Sequence, residues 1–223
     1  MLLPIEQVLT SDELAAINRA FDTAVFTDGG VTAGHQAGQV KRNLQLPEEA
    51  AVTRELTEHV MRALRRHPMF LSAALPLAIS PILFNEYQPG MVFGNHVDNA
   101  IRGTPPLRTD LSCTLFLRPP ETYDGGELVI EEPPYSRAIK LQAGDLALYP
   151  SGAVHRVQPV TGGVRRVAVF WVQSLVRGAA KRALLFDLDQ SIMQLSARVS
   201  PQAEEVIMLS ACYHNLLRMW SHV

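Results

Sequence analysis

The sequence predicts a mainly β protein with flanking helices: a jelly-roll core followed by a small helical C-terminal extension. Three observations carry this. Apolar residues alternate with a period of two from about residue 79 to residue 173. Turn signals at Gln88-Pro89-Gly90, Asp124-Gly125-Gly126, Ala143-Gly144 and Gly162-Gly163 cut that stretch into short strands, the punctuation of a two-sheet roll. Helical spacing of apolar residues flanks it on both sides. The expected division is residues 1–176 for the core with its N-terminal helices and 177–223 for the extension.

Thr10 and Glu13 form a capping box, and Leu9 and Leu14 are placed as its hydrophobic staple. The helix they open carries Leu14, Ile17 and Phe21 on one face. Residues 27–45 hold Gly29, Gly30, Gly34 and Gly38 and read as a surface loop or a mobile lid, on which Lys41, Arg42 and Asn43 could touch substrate. Pro47 suits a first helical turn, and Val52, Leu56, Val60 and Leu64 then recur at helical spacing up to a stop at Pro68. His59 and His67 read as solvated or capping residues.

The alternation places strands at 79–87, 92–98, 109–117, 127–131, 138–141, 145–149, 153–158 and 164–173. Asn85 and Tyr87 share a strand face, as do Arg165, Val167, Val169 and Trp171, with Arg166 opposite. Tyr87 is either a core aromatic or a hydroxyl donor to a bound carboxylate. Asp110, Arg118 and Arg156 read as strand-end charges. Residues 179–195 look helical, and a second helix opens at Ser200-Pro201 with Val206, Leu209, Tyr213, Leu216, Leu217 and Trp220 as apolar positions. That tail packs on its own core or forms a subunit contact, giving a possible homo-oligomer; His214 and His222 on it read as surface residues.

The 223 residues are 47% apolar, enough for a sizeable core, and the net charge of −2 gives no reason to expect nucleic acid or an anionic membrane as partner. Cys113 and Cys212 read as two buried, reduced thiols rather than a disulfide. Neither a secretory signal nor a membrane span is visible, so the expected compartment is the cytoplasm.

The chemistry centres on His96-Val97-Asp98. In an extended strand these two side chains emerge on one face, separated by one pleat. An imidazole and a carboxylate, joined by a second imidazole, cover one face of an octahedral metal and leave the rest open for substrate and dioxygen. His155 lies 57 residues after Asp98, far enough for intervening strands to return it to the tripeptide. Arg165 follows ten residues later, and Gly162-Gly163 reads as the turn of a hairpin placing His155 and Arg165 on neighbouring antiparallel strands. A guanidinium there matches the distal carboxylate of a dicarboxylic acid bidentately.

This composite resembles the Fe(II)/2-oxoglutarate-dependent dioxygenases, within them the prolyl-4-hydroxylase-like branch, and most closely the bacterial PKHD-type hydroxylases. The resembling text is DGGVTAG, VKRNLQL, HVDNA, AVHRVQPVTGG, FWVQSLVR and LFDLDQSI, spread over residues 28–192. The resemblance implies a double-stranded β-helix with a C-terminal domain peculiar to this branch. It implies Fe(II) held by His96, Asp98 and His155. It further implies 2-oxoglutarate held through its distal carboxylate by Arg165, which the family spacing favours over Arg166, with Tyr87 as a further co-substrate contact. The implied reaction consumes O2, releases succinate and CO2, and hydroxylates a C–H bond, and the resemblance further implies L-ascorbate as an agent that sustains it. Asp98 favours hydroxylation, since halogenating members lack that carboxylate.

Two other readings stay open at this level: a jelly-roll enzyme using zinc as a Lewis acid, and a non-catalytic sensor of iron or 2-oxoglutarate. The primary substrate, prolyl, peptidyl or small-molecule, is not readable from the sequence.

Overall fold

The computed structural model describes residues 2–32, 34, 38–132 and 134–222, so part of the expected 27–45 loop lies outside the described residues. The N-terminal part runs β1 (Leu3–Ile5), α1 (Ser11–Thr23), β2 (Thr27–Asp28), β3 (Lys41–Arg42), β4 (Leu44–Gln45), α2 (Ala51–Arg66) and α3 (Pro68–Ala74). The roll continues through β5 (Pro76–Ile79), β6 (Leu83–Tyr87), β7 (Val92–His96), β8 (Ile101–Arg102), β9 (Leu107–Arg108), β10 (Leu111–Phe116), β11 (Tyr123–Gly125) and β12 (Leu128–Glu132). It closes with β13 (Tyr135–Ile139), β14 (Leu146–Pro150), β15 (His155–Val157), β16 (Val160–Gly163) and β17 (Arg165–Ser174), before α4 (Ala179–Arg198) and α5 (Glu204–Trp220).

Among the described residues, two antiparallel sheets make the roll. The larger has eight strands in the order β1-β14-β10-β17-β6-β4-β2, with β5 also on β17; the smaller has five in the order β13-β12-β15-β7-β3. The larger sheet is buried on both faces, and side-chain parity divides its residues. On β10, Leu111, Cys113 and Leu115 join Leu148, Phe170, Phe84 and the helical residues Ile17, Phe21, Leu56 and Phe70 in one core. Phe116 joins Tyr149, Val167, Tyr87, Ile130 and Val157 in a second core between the sheets. Helices therefore cover one face and the smaller sheet covers the other.

The capping box forms as expected: Glu13 N–H donates to the Thr10 hydroxyl, and the Glu13 carboxylate accepts from Thr10 N–H at 2.9 Å. His67 also acts as a cap. Its Nδ1 accepts from Phe70 N–H, opening α3 with Pro68 in the first turn, so the expected stop at Pro68 is the start of another helix. The expected strand 79–87 is interrupted at Ser80-Pro81, because proline has no N–H to give the ladder; β5 and β6 both continue along β17. Strand β7 ends at His96, which leaves Asp98 just beyond it.

The expected hairpin between His155 and Arg165 is corrected. β15 belongs to the smaller sheet and β17 to the larger, and Gly162-Gly163 lies in β16, paired with Asp124 and Tyr123 of β11. Gly163, at φ +67°, sits in the left-handed region that glycine tolerates, and here the chain crosses between sheets instead of turning back. Arg165 and His155 thus face one another from opposite walls. Cys212 is exposed while Cys113 is buried, correcting the reading of two buried thiols; Cys212 falls beside the apolar stripe of Tyr213, Leu216, Leu217 and Trp220 that packs on Leu185 and Val176. No described helix is long and apolar enough to cross a membrane.

Candidate metal centre and its anion pocket

β7 and β15 are neighbours in the smaller sheet, and their register sets His96 directly opposite His155. Their ring centroids lie 4.1 Å apart. Each ring is oriented by its own strand: His96 Nδ1–H donates to Gly94 O at 2.8 Å, and His155 Nδ1–H donates to Ala153 O at 3.0 Å. Fixing the proton on Nδ1 leaves the Nε2 lone pair of both rings free to ligate. Phe93 stacks under His96 at 3.6 Å between centroids and 13° between planes, which holds the ring further.

Asp98 completes the cluster. Its Oδ1 is 4.0 Å from His96 Nε2 and its Oδ2 is 3.7 Å from His155 Nε2, with all three side chains less than a tenth exposed. One ligand atom from each residue lies within 4.8 Å of the others, so a single ion could take all three. Burial, with His155 beside it, pushes the His96 imidazole down to about 4, so near neutral pH it is the uncharged base that metals bind. Ser112 donates to Asp98 Oδ2 at 2.6 Å and is itself 2.8 Å from the Ser151 hydroxyl. That bond aims the carboxylate.

Arg165 is 1% exposed, and none of its three guanidinium nitrogens has a hydrogen-bond partner among the described residues. The group lies 5.1 Å over the Tyr87 ring and 5.5 Å over Phe116. An uncompensated charge in such a place costs several kcal/mol, and its donors are arranged to receive an anion. Burial pushes the Tyr87 hydroxyl up to about 12, so it stays a protonated donor. Tyr123 lies beside the guanidinium without forming a good hydrogen bond, its hydroxyl also unpartnered. Tyr149 joins the two halves: its ring meets His155 edge-on at 5.1 Å, and both Asp98 and Arg165 act on its hydroxyl, which burial drives upward.

All five expected site residues, His96, Asp98, His155, Arg165 and Tyr87, therefore line one interior. Arg166 turns to the opposite face, where it pairs with Glu86 at 2.9 Å and Asp22 at 2.7 Å. Of the loop residues, Lys41 reaches the cavity beside the cluster, Asn43 donates to Asn85 at 2.9 Å in the interior, and Arg42 is exposed. Ser112, Tyr123, Tyr149 and Arg102 were not anticipated. For Ser112 a signal exists: on a strand of buried residues, Ser112 and Thr114 alternate with Leu111, Cys113 and Leu115, which marks the polar parity as facing a site.

Residues 82–173 match the model of the 2OG-Fe(II) oxygenase superfamily, and residues 180–222 match the PKHD-type hydroxylase C-terminal domain. A PKHD-type hydroxylase of Janthinobacterium sp. (strain Marseille) is 49% identical over 227 residues, covering 100% of both chains. The chain belongs to the PKHD-type hydroxylase family. Another relative, the PKHD-type hydroxylase of Caulobacter sp. (strain K31), is 50% identical over 227 residues, again covering 100% of both chains. Members of this family are 2-oxoglutarate-dependent dioxygenases that use Fe(II), 2-oxoglutarate and O2 to hydroxylate a substrate. Among solved structures, a Pseudomonas putida prolyl-4-hydroxylase aligns with a TM-score of 0.53 at 20% identity, covering 78% of this chain and 92% of that one. A prolyl hydroxylase of Trichoplax adhaerens aligns with a TM-score of 0.57 at 15% identity, covering 82% and 86%. At these identities the likeness is one of fold, and it bears out the jelly-roll expectation.

Proposed function

We propose that His96, Asp98 and His155 hold the Fe(II) of this PKHD-type hydroxylase, and that Arg165 receives the distal carboxylate of 2-oxoglutarate. The observation that carries the reading is the guanidinium of Arg165, buried without a partner on the wall facing the His/Asp/His cluster. A zinc Lewis-acid site acting on some other substrate would leave that cation with nothing to hold. The residues present fit both groups: two neutral imidazoles and one carboxylate suit a ferrous ion with open positions, and a planar fork suits a carboxylate.

Bound there, iron and 2-oxoglutarate supply the oxidising chemistry, with succinate and CO2 as co-products of hydroxylation. The protein's own contribution is positional. Nδ1 bonds to Gly94 and Ala153 fix both imidazoles, Ser112 fixes Asp98, and Tyr87 and Phe116 flank the guanidinium in a space closed to water. Exclusion of water strengthens the pairing of Arg165 with an incoming carboxylate and keeps the oxidant from other targets. We assign this chemistry to residues 1–176 and treat 177–223 as an appended helical unit. A cytoplasmic setting suits a centre that must keep its iron ferrous.

Anaerobic addition of Fe(II) and then 2-oxoglutarate should raise the visible charge-transfer band of a keto-acid chelate, and admission of O2 should convert it to succinate. A protein that binds Fe(II) but gives neither band nor succinate would sink the assignment.

A further inference from the structure

A groove of about 540 Å³ is walled in part by Ile79, Pro81, Leu83, Arg102, Leu107 and Trp171, and Arg165 is not among its lining residues. Leu83, Arg102 and Trp171 also line the small cavity that contains His96 and Asp98, so the groove runs directly into the centre. Its walls are mainly apolar. Glu48, Ser80, Thr104 and Gln173 add polar groups to the wall, and two cations, Arg102 on the groove and Lys41 on the adjoining metal-side cavity, stand near the junction. The Arg102 guanidinium carbon lies over the Trp171 indole, 3.9 Å from its centroid, and Arg102 forms no ion pair with any described residue. Lys41, 8% exposed, lines the metal-side cavity and is hydrogen-bonded at 3.3 Å to the neutral Gln45 amide.

Among the described residues, three carboxylates act on them. Asp98 and Glu48 act on both cations, and Asp28 on Lys41. Once Asp98 is committed to a metal, as the proposed function has it, Glu48 is the remaining carboxylate on the groove wall. A half-buried Arg102 and a buried Lys41 at the inner end of a largely apolar trough suit an anion carried on an apolar body. A guanidinium resting on an aromatic ring is partly ordered in advance, so less side-chain freedom is lost when it takes up an anion.

We propose that this groove binds the primary substrate and recognises it by a carboxylate, held by Arg102 with Lys41 beside it, so that the adjoining apolar carbon skeleton lies toward the metal. The inference rests on the hydroxylase reading for the direction of the groove and for the commitment of Asp98 to the metal. The volume suits a body of one or two amino-acid residues, either free or at the C-terminal end of a peptide.

The test uses the full chain. Trp171 and Trp220 are the two tryptophans, so a Trp220→Phe protein reports the groove through Trp171 fluorescence alone. N-acetyl-L-leucine, the peptide Ala-Ala-Leu and N-acetyl-L-leucinamide would be titrated in turn. A saturable change with either acid, about tenfold weaker with the amide and with Arg102→Gln, is the expected result. The stronger of the two acids identifies the free or the peptidyl source. Equal binding of acid and amide, no saturable change with any probe, or loss of the change in excess 2-oxoglutarate would overturn the proposal, the last because it would put the probe on Arg165. The acid and amide comparison needs no groove variant and so survives a misfolded Arg102→Gln. The charge-transfer band reads the hydroxylase assignment separately.

Discussion

Arg165 and Tyr87 stand opposite one another on adjacent strands, and the guanidinium lies 5.1 Å over the phenol ring with all of its N–H groups unspent. On the proposed reading this cation is kept in an apolar wall for a ligand, and the fold bears its cost in the meantime. Substitution by an apolar side chain of similar length relieves that cost. We expect Arg165→Met to bind Fe(II) normally, to produce succinate at less than a hundredth of the wild-type rate, and to be more stable than the ligand-free wild type by about 1–3 kcal/mol. Thermal melting with and without 2-oxoglutarate checks this: the co-substrate should raise Tm for the wild type and leave the variant unmoved. A variant less stable than the wild type would argue that the guanidinium has a partner after all.

The hydroxyl of Ser112 holds Asp98 Oδ2 at 2.6 Å. Its removal should free the carboxylate to rotate and weaken metal binding by about 10–100-fold, as loss of such supporting bonds does at other centres. A competition titration of Ser112→Ala against a chromophoric chelator measures it. Affinity unchanged within twofold would assign the bond to packing alone.

The metal-free protein should lose stability on mild acidification. The folded-state pKa of His96 lies below its ordinary value, at about 4, because burial and the neighbouring His155 oppose its charge. The unfolded chain therefore takes up the proton first, and the contribution of this group is complete above about pH 6.5 and drains away as pH falls toward 4. The slope for one group is at most ~1.4 kcal/mol per pH unit. Denaturant unfolding at stepped pH should show the decline in the apo wild type, and His96→Gln should flatten it.

Gly126, at φ +68°, sits against the Arg165 stem; an added Cβ would lie 2.9 Å from Arg165 Cδ and 3.0 Å from Val160 Cγ2. Gly126→Ala combines backbone strain with a displaced guanidinium. We expect a loss of about 1–3 kcal/mol in stability and a KM for 2-oxoglutarate raised tenfold or more, with iron binding intact.

The approach of His96 to Asp98 was legible because it depends on local geometry. The alternation that sets His96 and Asp98 on one side survives even though β7 stops at His96. The parity of the last strand likewise separated Arg165 from Arg166. The relation of His155 to Arg165 was not legible: two glycines look the same whether the chain turns back on its own sheet or passes to the facing one, and the pairing of β16 with β11 that decides it is set by residues 123–125. β11 and β13 were themselves missed or misplaced, because Tyr135, Ser136 and Arg137 are exposed and leave no apolar alternation. Ser112, Tyr149 and Arg102 reach the centre from three separate elements, and only closure of the roll brings them there.

The parity rule of the larger sheet turns it into a partition. Odd-numbered positions of β10 belong to a compartment packed with helices, and even-numbered ones to the chamber that holds the proposed metal site. An engineer could therefore harden this protein by repacking around Leu111, Cys113 and Leu115 while leaving catalysis untouched, and could retune the chamber from Ser112 or Thr114 at little risk to folding.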